Sequence, residues 1–82
     1  MTKKQKLIKK ILTANASITW NELSALLVQL GYQQIEGEGS RVKFDNGNPD
    51  DLVLLHKPHP QKEVKKYALK QVISFLKQRN ML

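Results

Sequence analysis

The order of elements in this 82-residue sequence predicts an α+β domain: a three-stranded antiparallel sheet with helices packed on one face. Three observations carry that expectation. Two stretches in the N-terminal part and one in the C-terminal part repeat apolar residues at spacings of three and four, the period of a helix. Between them lie three short extended segments separated by turn-forming glycine, asparagine and proline. One of those segments alternates, with Val42 and Phe44 on one side and Arg41 and Lys43 on the other. Such alternation calls for one buried and one wet face, which an antiparallel meander covered on one side provides.

The first helix is expected over residues 3 to 14, with Leu7, Ile8, Ile11 and Leu12 on one side and lysines on the other. Asn15-Ala16-Ser17 breaks it. Thr19-Trp20-Asn21-Glu22 then has the spacing of a capping box, in which the threonine hydroxyl accepts from the backbone three residues on and the glutamate reaches back. The second helix carries Leu23, Leu26, Leu27 and Leu30 on one stripe and closes at Gly31, where a left-handed backbone is favoured. Extended segments follow at Tyr32 to Glu36, Ser40 to Asp45 and Leu52 to Leu55. Gly37-Glu38-Gly39 turns the first into the second, and Asn46 to Asp51 turns the second into the third. The unbroken apolar run Leu52-Val53-Leu54-Leu55 is expected to be the central or most buried strand. His56-Lys57-Pro58-His59-Pro60 is expected to be irregular, because its prolines remove backbone donors and force extended geometry. The last helix is expected from Lys65 to Gln78, with Leu69, Val72, Ile73 and Leu76 facing inward. Trp20, Tyr32 and Phe44 are read as core.

Length and composition indicate one domain over residues 1-82. The absence of cysteine excludes a disulfide framework and thiolate metal sites. No apolar run approaches the roughly 20 residues that span a bilayer, and the lysine-rich start lacks the apolar block and cleavage site of a secretion signal. The expected location is the cytoplasm, with no membrane partner. The net charge of +7 is unevenly placed: residues 1 to 10 carry +5, residues 36 to 51 carry −3, and residues 62 to 79 carry +5. Basic ends suit a polyanion partner, although ordinary solvated lysine faces produce the same count. No phosphate-binding glycine loop, Ser-His-Asp constellation or carboxylate pair is visible. His56 and His59 stand three apart, but the prolines preclude the helix that would make them a metal pair, and no third ligand completes a site. They are better suited to carry protons from a stiffened loop. Neither a metal nor a small-molecule cofactor is expected.

Three short motifs, in order, resemble a known family. Leu30-Gly31-Tyr32, then Gly39-Ser40-Arg41-Val42-Lys43-Phe44, then His59-Pro60-Gln61-Lys62-Glu63-Val64 ahead of a basic helix through Leu76, is similar to the pattern of HicA-type mRNA-interferase toxins. The resemblance covers residues 19-79 as the core and leaves residues 1-14 as an extra N-terminal helix. It implies a fold like that of a double-stranded RNA-binding domain and a small bacterial toxin that cleaves mRNA. It also implies neutralisation by a larger HicB-type antitoxin encoded beside it. Family members usually carry a histidine directly after Gly-Ser, where this chain has Arg41.

Cleavage of RNA without a metal requires a base for the 2′-hydroxyl, an acid for the leaving 5′-oxygen, and a cation for the phosphorane. Histidine as a residue type serves the first two roles near neutral pH. Arginine stays protonated and instead binds phosphate bidentately. The candidate catalytic residues are therefore Arg41 as an electrostatic clamp, His59 as proton carrier at the family's second histidine position, and Ser40 as a hydroxyl that orients phosphate. His56 is the second choice of proton carrier. Lys43, Lys62, Lys65, Lys66 and Lys70 are expected to hold the RNA backbone, helped by donors at the start of the last helix. The same lysines suit an acidic antitoxin. The alternative is a non-catalytic RNA-binding module that has lost the catalytic histidine. A third reading is a module whose lysines serve an acidic protein partner alone. The ribonuclease reading requires Arg41 and the His56–Pro60 loop to converge.

Overall fold

The computed structural model describes residues 3–13, 17–59 and 62–82. The break expected at Asn15-Ala16, and the Pro60-Gln61 part of the histidine loop, lie outside the described residues. Helix α1 spans Lys3–Leu12 and α2 spans Trp20–Gln29. Strands β1 (Gln33–Glu36), β2 (Arg41–Asp45) and β3 (Val53–His56) follow, with a single 3₁₀ turn at Pro49–Asp51 before β3. Helix α3 spans Lys66–Gln78. The sheet is an antiparallel meander in the order β1-β2-β3. The double-stranded RNA-binding-domain-like core is thus preceded by one additional helix.

The capping box forms as its spacing requires. Thr19 Oγ1 accepts from the Glu22 N–H at 3.2 Å, and Glu22 Oε1 accepts from the Thr19 N–H at 3.1 Å. The other Glu22 oxygen accepts from Lys10 Nζ, which ties α1 to the start of α2. The Lys10 hydrogen bond, followed by that from the Thr19 N–H, holds the Glu22 carboxyl below its ordinary range. A depressed carboxyl pKa contributes stability above the unfolded value, and that stability is lost as pH falls through the folded value. Glu22→Gln is therefore expected to cost about 0.5–1 kcal/mol at neutral pH. The difference should narrow as the pH is taken below about 4, the range where an unfolded glutamate protonates. Denaturant titrations of both proteins at two pH values measure it.

The inner faces of the strands and helices share one core. Val42, Phe44 and Val53 from the sheet pack with Leu23, Leu26 and Leu27 of α2 and with Leu69, Val72 and Leu76 of α3. Ile73 and Leu30 are half-buried at its margin. Phe44 is fully buried, and its ring lies 6.0 Å from that of Trp20 at 55°, an edge-tilted pair. Of the apolar residues expected on the inner side of α1, Ile11 is buried, whereas Leu12 remains 44 % exposed. This helix packs chiefly on α2, so it is thinly covered and the stripe is narrower than the sequence suggests.

The turn between β2 and β3 is built by its own side chains. Asp45 Oδ1 accepts from the Gly47 N–H, Asn46 Oδ1 from the Asn48 N–H, and Asn48 Oδ1 from the Asp50 N–H. Such short-range side-chain bonds are why Asn and Asp dominate turns. The C-terminus is clamped onto this turn. Arg79 Nε donates to Asp51 Oδ1 at 2.9 Å, Arg79 Nη2 donates to the Asp50 carbonyl at 2.7 Å, and the guanidinium stacks 3.9 Å over Phe75. Tyr32 Oη donates to the Asp51 carbonyl at 2.7 Å. Burial, and after it the Asp51 carboxylate, push the Tyr32 phenol up. Of the acidic middle of the chain, the Asp45 and Asp51 carboxylates are thus engaged in the fold, as is the basic Arg79.

One expectation is corrected here. Leu52 to Leu55 is neither the central nor the most buried strand, because β2 holds the centre and β3 is an edge. Leu54 lies on the outer face, opposite Lys43, and is 69 % exposed. An apolar run signals what a strand can bury, not its position in the sheet order.

Candidate functional site

The tight reversal at residues 37–40 sets the site's register. The Gly37 N–H donates to the Arg41 carbonyl at 2.8 Å, and the Arg41 N–H donates to the Glu38 carbonyl at 3.2 Å. Gly39 sits at φ +61°, a backbone that side-chain-bearing residues rarely adopt. The Lys57 N–H then donates to the Ser40 carbonyl at 2.7 Å, pinning the hairpin tip to the end of β3. That bond carries the β2–β3 ladder one residue beyond His56.

Because the side-chain period of a strand is two, this register decides which groups meet on the open face. Val42 and Phe44 point into the core, so Arg41 and Lys43 point outward. Arg41 pairs with His56 and Lys43 with Leu54. Ser40 Oγ lies 3.4 Å from His56 Nδ1. A hydroxyl both donates and accepts, so this contact suits either tautomer of the ring and leaves Nε2 available. Arg41, Lys43, His56, Leu54 and Ile35 line a shallow depression on the outer face of the sheet.

A second depression adjoins the first and shares His56 and Leu54 with it. It is a groove of about 360 Å³ between β3 and the first turns of α3, lined among others by His56, Lys57, His59, Lys65 and Tyr67. The chain after the histidine loop is strapped down on the far side. The Trp20 N–H donates to the Lys62 carbonyl, and the Val64 N–H donates to the Ile18 carbonyl, each at 2.8 Å. These bonds bring the start of α3 next to the loop. Lys65 is the N-cap of α3 and makes no side-chain cap bond, and the first turn holds no acid. The helix start is therefore electropositive and faces the groove.

The structure brings Ser40 and Arg41 together with His56, the second-choice histidine. His59 lines the adjoining groove with His56 and Lys65 but does not line the depression that holds Arg41. Lys62, Lys66 and Lys70 are exposed near the start of α3 and line neither depression. Lys57 belongs to the groove and was not singled out from the sequence. Its signal was present, since a residue before proline is driven into extended geometry and the strand therefore continues past Leu55. Among the described residues no three His, Asp or Glu side chains gather as a metal site would require, and no helix is long and apolar enough to cross a membrane.

Residues 20–81 match the family model described as HicA toxin of bacterial toxin-antitoxin. The chain belongs to the HicA toxin family. Membership makes it a toxin of a bacterial toxin-antitoxin system, with an antitoxin as its partner. No curated protein and no solved structure matches the chain. The HicA match opens at the first residue of α2 and takes in both depressions, whereas α1 lies before it.

Proposed function

We propose that this HicA-family toxin binds RNA across the outer face of its sheet and cleaves mRNA in the cytoplasm, without a metal, until a HicB-type antitoxin covers it. The observation that supports this most is the pairing of Arg41 with His56 across β2 and β3, with Ser40 Oγ 3.4 Å from the imidazole. A histidine removes the 2′-hydroxyl proton, and the 2′-oxygen attacks phosphorus. The bond from phosphorus to the 5′-oxygen breaks, and a second imidazole protonates that oxygen. The products are a 2′,3′-cyclic phosphate and a 5′-hydroxyl. His56 and His59, which line one groove, supply the two proton transfers. Arg41 binds the phosphate and stabilises its developing charge. Ser40 orients the His56 ring and the phosphate. Lys43 and Lys65, with Lys62, Lys66 and Lys70 farther out, hold the flanking backbone by charge.

Induction of the chain alone in a bacterium is expected to arrest growth and fragment mRNA. His56→Ala should lower cleavage by about 100-fold or more, the usual contribution of a positioned acid or base, and His59→Ala should lower it by a similar or smaller factor. Both side chains are exposed, so thermal stability should stay within about 0.5 kcal/mol of the parent. Intact transcripts at good expression would sink the ribonuclease, and full toxicity in either variant would remove that histidine from the mechanism. The non-catalytic reading draws on Arg41 standing where the family carries histidine. It requires salt-dependent RNA binding by the purified chain with no products on long incubation.

A further inference from the structure

We infer that the antitoxin holds this toxin by adding an extended, acidic segment as a fourth strand along the free edge of β3. The inference rests on the toxin having an antitoxin partner and says how that partner is bound. It starts from the ladder. The Lys57 N–H bonds the Ser40 carbonyl, and backbone groups facing a partner strand alternate along the chain. Val53, Leu55 and Lys57 therefore turn their N–H and C=O groups toward β2, and Leu54 and His56 turn theirs away from it. Among the described residues no other backbone segment pairs with these outward groups. They look instead into the groove walled by α3.

The chemistry of that edge favours a polypeptide over a nucleic-acid strand. Leu54 and His56 each offer a donor and an acceptor at strand spacing, so an added main chain satisfies all four groups in register, whereas the phosphates of a nucleic-acid backbone would pair with the two N–H groups only. Apolar anchors lie alongside. Leu54 is 69 % exposed and Tyr67, on the opposite wall, is 65 % exposed. Charge then selects the occupant and the edge. Among the described residues no acid lines the groove, which carries Lys57, Lys65, His56 and His59. The other free edge, β1, ends in exposed Glu36 with Glu38 just beyond it, and it would repel the same acidic segment.

Strand addition at β3 also explains inhibition. A residue of the added strand opposite His56 would sit about 4.5–5.5 Å from it between Cβ atoms, on the same outer face. An aspartate or glutamate there meets Arg41 and His56 where RNA phosphate would lie. Neutralisation and binding then share one geometry.

The test uses the chain co-expressed with the product of the open reading frame adjacent to its own. Amide hydrogen exchange is followed by NMR in the free chain and in the complex. Leu54 and His56 amides are expected to exchange fast when free and to slow by at least about 100-fold in the complex, while Val53 and Leu55, already paired with β2, change little. Leu54→Pro removes an outward N–H that the sheet does not use. It is expected to weaken the complex by about 100-fold or more, against about tenfold or less for Leu54→Ala. A complex in which Leu54 and His56 stay unprotected overturns the strand inference and leaves the toxin reading standing. So does protection of these amides by a short single-stranded RNA but not by the protein. Failure of the two proteins to associate overturns the strand inference together with the antitoxin assignment, while transcript cleavage judges the ribonuclease separately. If Leu54→Pro proves unfolded by circular dichroism, the exchange pattern of the unmodified chain still decides.

Discussion

Replacing Arg41 by alanine is expected to leave the domain folded and, on the proposed ribonuclease mechanism, to lower RNA cleavage by about 100- to 1,000-fold, the usual effect of removing one charge-stabilising donor. The side chain projects from the outer face of β2, so its loss opens no cavity and the thermal midpoint should be nearly unchanged. Two further readings separate a clamp from a simple surface charge. Arg41→Lys keeps the charge but loses the planar fork that holds two phosphate oxygens at once. It should recover binding more fully than rate. The dependence of RNA affinity on salt should lose about one unit of slope in Arg41→Ala, as for any single phosphate contact. Full cleavage by Arg41→Ala would remove Arg41 from the mechanism. The measurements are single-turnover cleavage of a defined RNA and a salt titration of binding, with the parent and the His56→Ala variant alongside.

Several parts of this site can be read in the sequence, and others cannot. The alternation of Arg41, Val42, Lys43 and Phe44 states which side chains face out, because a strand has one period and the core needs Phe44. The capping box at Thr19 and Glu22 is equally local, and it forms with both of its bonds. What the sequence withholds is register. Whether Arg41 meets His56, His59 or neither depends on how many residues the second turn consumes, and that turn closes through bonds that the Asp45, Asn46 and Asn48 side chains accept from the Gly47, Asn48 and Asp50 N–H groups. The prolines add a false boundary. They suggest that irregular chain starts at His56, yet the ladder runs through it because Lys57 bonds Ser40. Sheet order is withheld as well. A continuous apolar run reads as a central strand, and here it is an edge strand whose Leu54 is left for something else to cover. The basic ends, by contrast, divide only once the fold is known: Arg79 is held by Asp51 and Phe75, whereas Lys65 opens onto the groove.

Phe44→Ala is expected to destabilise the domain by about 3–5 kcal/mol, the range for removing a buried phenylalanine. Phe44 is fully buried and enters the core from the central strand, against Trp20 at the start of α2. A chain of 82 residues has a total stability of about 4–12 kcal/mol, so the substitution removes from a quarter to all of it. The thermal midpoint should fall by at least about 12 °C, measured by circular dichroism, whereas Phe44→Leu should cost about half as much or less. The effect on function differs in kind from that of Arg41→Ala. Phe44 fixes the phase of β2, and with it the outward projection of Arg41 and Lys43. Its loss should therefore lower RNA cleavage and antitoxin binding together, in proportion to the unfolded fraction. An antitoxin that pairs with β3 binds only the folded chain, so excess partner should restore part of the lost midpoint by mass action. A Phe44→Ala protein that melts like the parent would mean that the strand's alternation is not what holds the site. The outward placement of Arg41 would then need another cause.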